Sequence, residues 1–538
     1  MMSNDLVAMK RDHAADASGS VRAASARLEY SARAPGKVVG GPRELHLVQL
    51  GAILFLAPNA LIALHLAGWA CAVVLAGCAL GWFVIWRGGA ERDGALLAAP
   101  IDAPTLAGCA ALALALCLLG GEAHLFYANS DWLIRDAVLA DLVNHGFPVS
   151  YRYAEQDYLL RAPLGMYMTP AFVGSIFGLG AAHVALLAQN AVIVAITLYF
   201  VAQLSKARKL PVVLLFVAFS GADIVGIALD EFYVFVHTGE FIPVSHFEWW
   251  NTRIQYSSHI TQLFWAPNHA LPGWWFATLA LLYTRREVDL PILMTSFAAM
   301  LFWSPLSMLG ALPFLALFGV ELLPRKILAP RVLLAAGAGV LFLPIALYLT
   351  IDASDVPHSF LFGMSGFATL YVCFLAIEIP HVAILVATRS KIEPGDRRIL
   401  TLAVALLCVL PIYKFGPFND LAMRASIPSL FLLAFAFSRV ATLVPRDNGR
   451  LATCISAIVI LSVATPMMEL HRSFACAYAI SDCNFLTSWS KLDPKRWPTN
   501  YLARAANAPS WLAPMNDKRL ALEDRICWPG NPMINAPR

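Results

Sequence analysis

The chain has 538 residues, of which 59% are hydrophobic and only 14% are charged, and its mean hydropathy is +0.64. A soluble protein of this length would fold into several domains with far more surface charge, so these values exclude an ordinary soluble protein. The formal net charge of +4 is too small to indicate binding to nucleic acid.

Residues 1 to about 45 are polar and rich in Ala, Ser, Arg and Lys. This segment lacks the apolar run and small-residue cleavage site of a secretory signal peptide. It is predicted to be a disordered cytoplasmic tail, followed by a transmembrane domain over residues 46–468 and an external tail over 469–538.

The apolar stretches predict an all-α polytopic membrane protein with about 13 transmembrane helices. A helix needs roughly 20 residues to cross a bilayer, and most of the stretches approach or reach that length. The predicted spans are 46–66, 68–86, 104–121, 182–203, 210–228, 268–284, 290–303, 305–323, 331–351, 366–388, 399–413, 421–441 and 451–468.

The basic residues of the short connections predict the orientation. With the N-terminus inside, alternate connections carry clusters of Lys and Arg, as cytoplasmic loops do. This alternation requires that the apolar stretch 164–179 does not cross but lies in the outer face, where Pro163, Pro170, Gly174 and Gly178 weaken a straight helix.

The outer side then holds two long loops, 122–181 and 229–267, together with shorter loops at 352–365 and 414–420 and the C-terminal tail. In a bacterium this corresponds to an inner-membrane protein with a cytoplasmic N-terminus and a periplasmic or external C-terminus; in a eukaryote the outer side would be an organelle lumen. On that oxidising side Cys476 and Cys483 of "CAYAISDC" could form a disulfide or remain free thiols.

The first outer loop carries the most informative pattern. The charged stretch "YANSDWLIRDAVLADLVNHGFP" (residues 127–148) leads into "RAPLGMYMTPAFVGSIFGLGAAHVALLAQNAVIVAITLYFVAQLSKARK" (161–209). Residues 104–210 resemble the GT-C superfamily of multi-span glycosyltransferases that use lipid-linked sugars. The resemblance implies that 163–180 lies along the outer face and that 182–202 spans. The chain departs from the family in having no second acid beside Asp131 and two extra spans before the loop.

The resemblance implies an inverting glycosyltransferase that moves a sugar from a polyprenyl-phosphate carrier to an acceptor on the outer face. The acceptor could be a lipid, a glycan or a protein, and membrane lipids surround the site. Such a transfer needs a carboxylate to take the acceptor proton and cations, preferably arginines, to stabilise the departing phosphate.

Three acids are the catalytic candidates. Asp131 occupies the position of the family's acid and is the first choice, followed by Asp136 and by Glu248 in the second outer loop. The alternatives are that Asn129, Ser130 or Asp131 caps the following helix, that Asp131 pairs with Arg135, and that Asp136 lies on a solvated helix face.

The predicted substrate-binding residues are cationic, acidic or aromatic. Arg424 is expected one turn inside the twelfth span, at the depth of a lipid phosphate, and is the leading phosphate ligand. The second outer loop interleaves aromatic and polar residues, as in "HFEWWNTRIQYSSH", which suits carbohydrate or lipid phosphate, although an interfacial aromatic belt is the alternative. The remaining candidates are Lys414, Arg253, Arg161, His259, Asp230, Glu231, Trp249 and Trp250.

No cofactor is required by the sequence, and any metal ligands are unknown. The adjacent carboxylates Asp230 and Glu231 would suit a divalent cation such as Mg²⁺ or Mn²⁺. Zinc is disfavoured, because the loop histidines His237, His246, His259 and His269 lack an i,i+4 pair or an H-E-x-x-H motif.

Two other functions remain as alternatives. An O-antigen-type polymerase or ligase has a similar number of spans, but such proteins rely on arginines in the outer loops, which are few here. A transporter or flippase of lipid-linked glycans often has two related halves with broken helices, and no internal repeat is evident in this sequence.

Overall fold

The structure is a computed structural model that describes residues 41–90, 95–206, 208–241, 246–322, 328–444, 449–476, 480–481, 483–512 and 518–528, without the side chains of 89 and 90. The predicted tail over 1–45 lies almost entirely outside the described residues. The described residues from Glu44 onward form one compact unit.

The described part of the chain is mostly helical. Its helices are α1 Glu44–Ala63, α2 Trp69–Ala90, α3 Ala103–Leu119, α4 Ser130–His145, α5 Gly165–Phe177, α6 Leu179–Leu204, α7 Lys209–Val217, α8 Asp223–Thr238, α9 His259–Trp265, α10 Pro267–Thr284, α11 Leu290–Met300, α12 Pro305–Leu322, α13 Pro330–Leu341, α14 Leu343–Thr350, α15 Phe367–Glu378, α16 His381–Ala387, α17 Pro394–Val409, α18 Asp420–Ala425, α19 Ile427–Leu443, α20 Gly449–Ala475 and α21 Phe485–Leu492.

Short strands connect loops that are distant in sequence. Strands β1 Ser150–Tyr153, β2 Gln156–Leu160 and β5 Leu502–Arg504 form an antiparallel sheet in the order β1-β2-β5. A second antiparallel pair joins β3 His358–Phe360 to β4 Tyr413–Phe415. The strands therefore tie together segments that the sequence assigns to the outer side.

Within the described ranges, six helical segments are long and apolar enough to cross a bilayer, or seven if the pair α15 and α16, bent by 66°, counts as one span. This is the pattern of an all-α membrane protein. The six are Glu44–Ala63, Trp69–Gly88, Leu179–Leu204, Pro305–Leu322, Pro330–Thr350 and Gly449–Ala475.

Four predicted spans, 210–228, 331–351, 366–388 and 421–441, are divided between two helices. The stretch 210–228 is divided between α7, which ends at Val217, and α8, which begins at Asp223. The stretch 421–441 is divided between the six-residue α18 and α19, which carries Pro428 in its first turn. Arg424 therefore lies one turn after Asp420, in the short helix that directly precedes α19.

The apolar stretch 164–179 forms α5, a helix of 13 residues that is separate from α6. Gly178, with φ +89°, forms the junction between them, a backbone conformation that glycine adopts without steric cost. Since a perpendicular crossing takes about 20 residues, α5 is too short to span a bilayer by itself.

Segments predicted to lie on the same side of the membrane bond to one another. On the side predicted to be cytoplasmic, Asp396 accepts hydrogen bonds from Arg285 at 2.8 Å and Arg439 at 3.3 Å. Glu393 forms an ion pair with Lys206 at 3.2 Å. The residues come from four chain segments, near positions 206, 285, 393–396 and 439, which lie far apart in sequence. The contacts therefore agree with the grouping of these segments that the basic-residue pattern predicts.

The C-terminal tail is fastened to the first outer loop. Asp141 of α4 accepts a hydrogen bond from the main-chain N–H of Phe485 at 2.9 Å and from the Tyr151 hydroxyl at 2.7 Å. A disulfide joins Cys483 to Cys527, and Cys476 is a free thiol, so the Cys476–Cys483 alternative is wrong.

Candidate functional site

Helix α4 presents Asp131 without using it as a cap. The Asn129 side chain accepts the N–H of Asp131 at 3.0 Å and so caps the helix. The Asp131 side chain is 46% exposed, and its Oδ2 lies 3.3 Å from Nη2 of Arg135. Of the predicted alternatives, the ion pair is therefore present, and the cap is Asn129.

Arg135 offers a buried donor beside this carboxylate. Its side chain is only 5% exposed and lies over the Trp132 ring, 5.6 Å from the ring centroid. Its Nη1 is buried and has no hydrogen-bond partner among the described residues. A buried, unsatisfied guanidinium N–H is costly, so this donor is suited to an anionic ligand.

Tyr501 of the C-terminal tail marks where three distant segments meet. Burial raises the pKa of this phenol, and Arg135, Asp131, Arg424 and Asp420 all lie within electrostatic range of it. The first predicted acid, Asp131, and the first predicted phosphate ligand, Arg424, therefore both lie within electrostatic range of Tyr501.

Tyr167 of α5 belongs to the same group. Burial raises the pKa of its phenol, and Tyr501 and the charged side chains of Arg135, Asp136 and Asp131 all lie within electrostatic range of it. Sequence reasoning missed both tyrosines, because the tail that carries Tyr501 follows the last predicted span and has no motif of its own.

Arg424 is held by an acid within its own short helix. Its Nη1 lies 2.5 Å from Oδ1 of Asp420, and its side chain is 23% exposed. Asp420 also accepts a hydrogen bond from Nδ2 of Asn500 at 3.0 Å. The guanidinium is therefore positioned by one carboxylate while part of it faces solvent.

Two further predicted cations flank α18. Lys414 lies in β4, opposite Ser359, and α18 packs against that strand. Arg253 is exposed, and its carbonyl oxygen accepts a hydrogen bond from Nδ2 of Asn419 at 3.2 Å. Both belong to the chain segments that surround Arg424.

Arg161 is used differently from the prediction. Its side chain is buried, and its guanidinium donates to the carbonyl oxygens of Thr499 at 2.6 Å and Leu349 at 3.4 Å. The main-chain N–H of Arg161 also donates to the Tyr501 carbonyl at 2.6 Å. Arg161 therefore holds the tail in place, including the backbone of Tyr501.

Glu248 forms the centre of a second buried group. It accepts hydrogen bonds from the Ser258 N–H at 2.7 Å and from Nε2 of Gln255 at 2.6 Å. Burial raises the pKa of Glu248 to about 7, although the nearby His246 opposes the rise. Glu469, which sequence reasoning missed because it is 223 residues from His246, lies 2.7 Å from that imidazole and pairs with it.

The other second-loop candidates are dispersed. Trp250 donates to Glu378 at 3.1 Å, whereas Trp249 is 51% exposed. His259 is fully buried between Phe216 and Trp274. These side chains therefore lie in different surroundings and do not form one sugar-binding surface.

The adjacent acids Asp230 and Glu231 lie on α8. The next two residues of the helix, Phe232 and Tyr233, are 65% and 63% exposed. The pair is therefore placed on a largely apolar helix surface, away from the Asp131 helix in sequence.

Asp136 is buried, so the prediction of a solvated helix face is wrong. Its side chain is 2% exposed and its Oδ2 lies 2.5 Å from Nε2 of His124. His183 of α6 lies close to the same carboxylate. These three are the group among the described residues whose geometry could hold a metal ion, and the four histidines weighed for zinc are not part of it.

A cavity of about 450 Å³ opens between the first outer loop and the tail. Three aromatic rings line it, with Trp497 packed against Tyr153 and Tyr158 at centroid distances of 5.0 and 4.7 Å. Asp352 and Arg504 contribute charge to the lining. Aromatic faces beside charged groups suit a sugar ring with its hydroxyls.

No protein-family model matches the chain, and neither the curated proteins nor the solved structures contain a significant match to it.

Proposed function

We propose that the chain is a membrane glycosyltransferase of the GT-C type, which transfers a sugar from a polyprenyl-phosphate carrier to an acceptor on the outer face. The observation that carries the proposal is the ion pair of Asp131 with Arg135, together with the location of Arg424 within electrostatic range of the same residue, Tyr501. A half-exposed carboxylate beside one arginine, with a second arginine in the same region, supplies the groups that glycosyl transfer from a phosphate requires.

In the proposed reaction Asp131 accepts the proton of the acceptor hydroxyl. The acceptor oxygen forms a bond to the anomeric carbon of the sugar as the bond from that carbon to the phosphate oxygen breaks. The bonding electrons pass to the polyprenyl phosphate, and attack from the opposite face inverts the anomeric centre. Asp131 is suited to the first step because it is not needed as the cap of α4.

The two arginines have separate tasks in this scheme. Arg424, fixed by Asp420 and partly exposed, binds the phosphate of the carrier. Arg135 offers its free Nη1 to the charge that develops on the leaving oxygen. Arginine suits both tasks because its planar fork matches phosphate geometry.

The aromatic cavity is the proposed docking site for the acceptor glycan. Its Trp497 and Tyr158 rings can stack on a sugar face, and its lining residue Thr499 is two positions from Tyr501. A saccharide chain seated there would lie beside the tail segment that carries Tyr501, which favours a glycan acceptor among the three classes considered.

The proposed topology has about 13 spans, with the N-terminus in the cytoplasm and the C-terminus outside. It is supported by the contacts within each predicted side, such as the Arg285–Asp396 pair on one and the β2–β5 pairing on the other. The proposed catalytic groups then lie on the outer side, in the predicted location of a bacterial inner-membrane enzyme that builds envelope polysaccharide.

Removal of the protein from its host tests the proposal and identifies the sugar in the same experiment. Lipid extracts should then accumulate one polyprenyl-phosphate sugar, and wild-type protein should reverse the accumulation while the Asp131→Asn variant should not. An unchanged profile of lipid-linked sugars in the deletion strain would contradict the proposed donor class.

A further inference from the structure

Two histidines and one aspartate form a compact group that the proposed transfer reaction does not use. His124 comes from the turn after α3, Asp136 from α4 and His183 from α6. The His124 Nε2 and Asp136 Oδ2 atoms are 2.5 Å apart, and His183 Nδ1 lies 4.0 Å from Asp136 Oδ1. All three ligand atoms lie within 4.8 Å of one another.

The local backbone is arranged so that His124 faces the aspartate. Ala123 and His124 have φ values of +61° and +59°, a left-handed conformation that is unfavourable for residues with a Cβ. The side chains of His124, Asp136 and His183 are only 5%, 2% and 11% exposed. The turn thus places the His124 imidazole in a site that is almost fully buried.

One oxygen of the group has no hydrogen-bond partner among the described residues. Asp136 Oδ1 is buried and accepts no hydrogen bond from any described residue, while Oδ2 is occupied by His124. A buried carboxylate oxygen left unsatisfied is unfavourable, and native proteins seldom leave one bare. A cation between Oδ1 and the two imidazoles would satisfy it.

We propose that His124, Asp136 and His183 bind one divalent transition-metal ion, with Zn²⁺ as the best match. Two imidazoles and a carboxylate are a donor set that Zn²⁺ accepts, whereas Mg²⁺ prefers oxygen ligands and retains its waters. Tetrahedral ligand atoms about 2.1 Å from zinc lie about 3.4 Å apart, so shifts of about 1 Å in the side chains would complete the site. The expected Mg²⁺ or Mn²⁺ at Asp230 and Glu231 is not part of this proposal.

The ion would fasten α4 to α6 and leave Asp131 free. At about 100° per residue, Asp136 and Asp131 are about 140° apart around α4. The metal face of the helix and the proposed catalytic face are therefore different. The proposed role is positioning: the ion fixes the helix whose other face carries Asp131 and Arg135.

Metal titration of the purified full-length protein tests this inference without a sugar donor, so its outcome is independent of the proposed transfer activity. Protein stripped with a chelator is titrated with Co²⁺ as a spectroscopic probe and then with Zn²⁺ as a competitor. One Co²⁺ should bind per chain with visible d–d absorption and should be displaced by Zn²⁺. Absence of binding to the folded wild-type protein would overturn the proposal.

Variants then locate the site. Asp136→Asn and His183→Gln should each weaken binding by about 100-fold or more, since even outer-shell partners of a metal contribute about 10–100-fold. His237→Gln, an exposed histidine on α8, should bind as the wild type does. If both ligand variants keep the wild-type affinity and stoichiometry, the ion lies elsewhere and the assignment is wrong.

Discussion

The Asp131→Asn substitution separates a catalytic role from a structural one. Asn129 keeps the cap of α4, and the new amide oxygen can still accept a hydrogen bond from Arg135. Asp131 is 46% exposed but Arg135 is buried, so the lost charge pair contributes more than a surface pair, while the remaining hydrogen bond keeps the guanidinium partly satisfied. The free energy of unfolding should therefore fall by about 1–2 kcal/mol.

The effect on catalysis should be much larger. Loss of a general base typically lowers the rate by about 10²–10⁴-fold, which is about 3–5 kcal/mol on the activation barrier. The assay is product formation from a polyprenyl-linked sugar in vesicles, with thermal unfolding measured on the same preparation. Asp131→Asn should unfold close to the wild-type temperature and form almost no product.

Asp157→Asn is the matched control. Asp157 is also an acid of the first outer loop, pairs with an arginine, Arg519 at 3.2 Å, and is 30% exposed. Its substitution should leave the transfer rate within about twofold, as expected for a surface pair. Full activity of Asp131→Asn, together with loss of activity in Glu248→Gln, would show that the base belongs to the Glu248 group.

Three other predictions follow from single contacts. Arg424→Ala should weaken binding of the carrier by about 10–100-fold, which is the contribution of a hydrogen bond to a charged group, and Arg424→Lys should restore part of the affinity. If Arg424→Ala and the wild type bind the carrier equally in a lipid-binding assay, Arg424 is not part of the site. Burial, reinforced by Glu523, raises the pKa of Asp141 to about 7, above its pKa in the unfolded chain, so the contribution of Asp141 to stability declines as pH rises from about 4 to 7. Asp141→Asn should therefore raise the melting temperature at pH 8 more than at pH 5. A difference that does not depend on pH would contradict this. Lys206 and Glu155 are both well exposed, so cysteines introduced there can report the topology. A cysteine at 155 should be labelled in intact cells, whereas a cysteine at 206 should be labelled only after the membrane is permeabilised. Labelling at 206 from outside would overturn the proposed topology.

Hydrophobicity alone predicted most of the helices but not their breaks. The stretch 210–228 has a proline only at its first turn, yet the helix ends at Val217 and a new one begins at Asp223. There Asp223 accepts hydrogen bonds from Ser220 and from the distant Thr465, both at 2.8 Å. A tertiary contact of this kind has no signal in a local apolar window.

The candidate site was predictable only where it lies near a recognisable pattern. Asp131 and Arg424 were singled out from their positions, and the fold brings both near Tyr501. The role of Tyr501 depends on contacts with segments that are hundreds of residues away, and the contact between His124 and His183 joins segments that are separated by an intervening helix. Sequence spacing carries no information about such contacts.

The most direct test of the central claim is release of polyprenyl phosphate by the purified protein. The wild-type protein is reconstituted in vesicles with the polyprenyl-phosphate sugar that accumulates in its absence and with an envelope glycan acceptor. The account predicts that polyprenyl phosphate and glycosylated acceptor form in equal amounts, and that neither forms with Asp131→Asn. Equal consumption of the donor by both proteins, or none by the wild type, would contradict it.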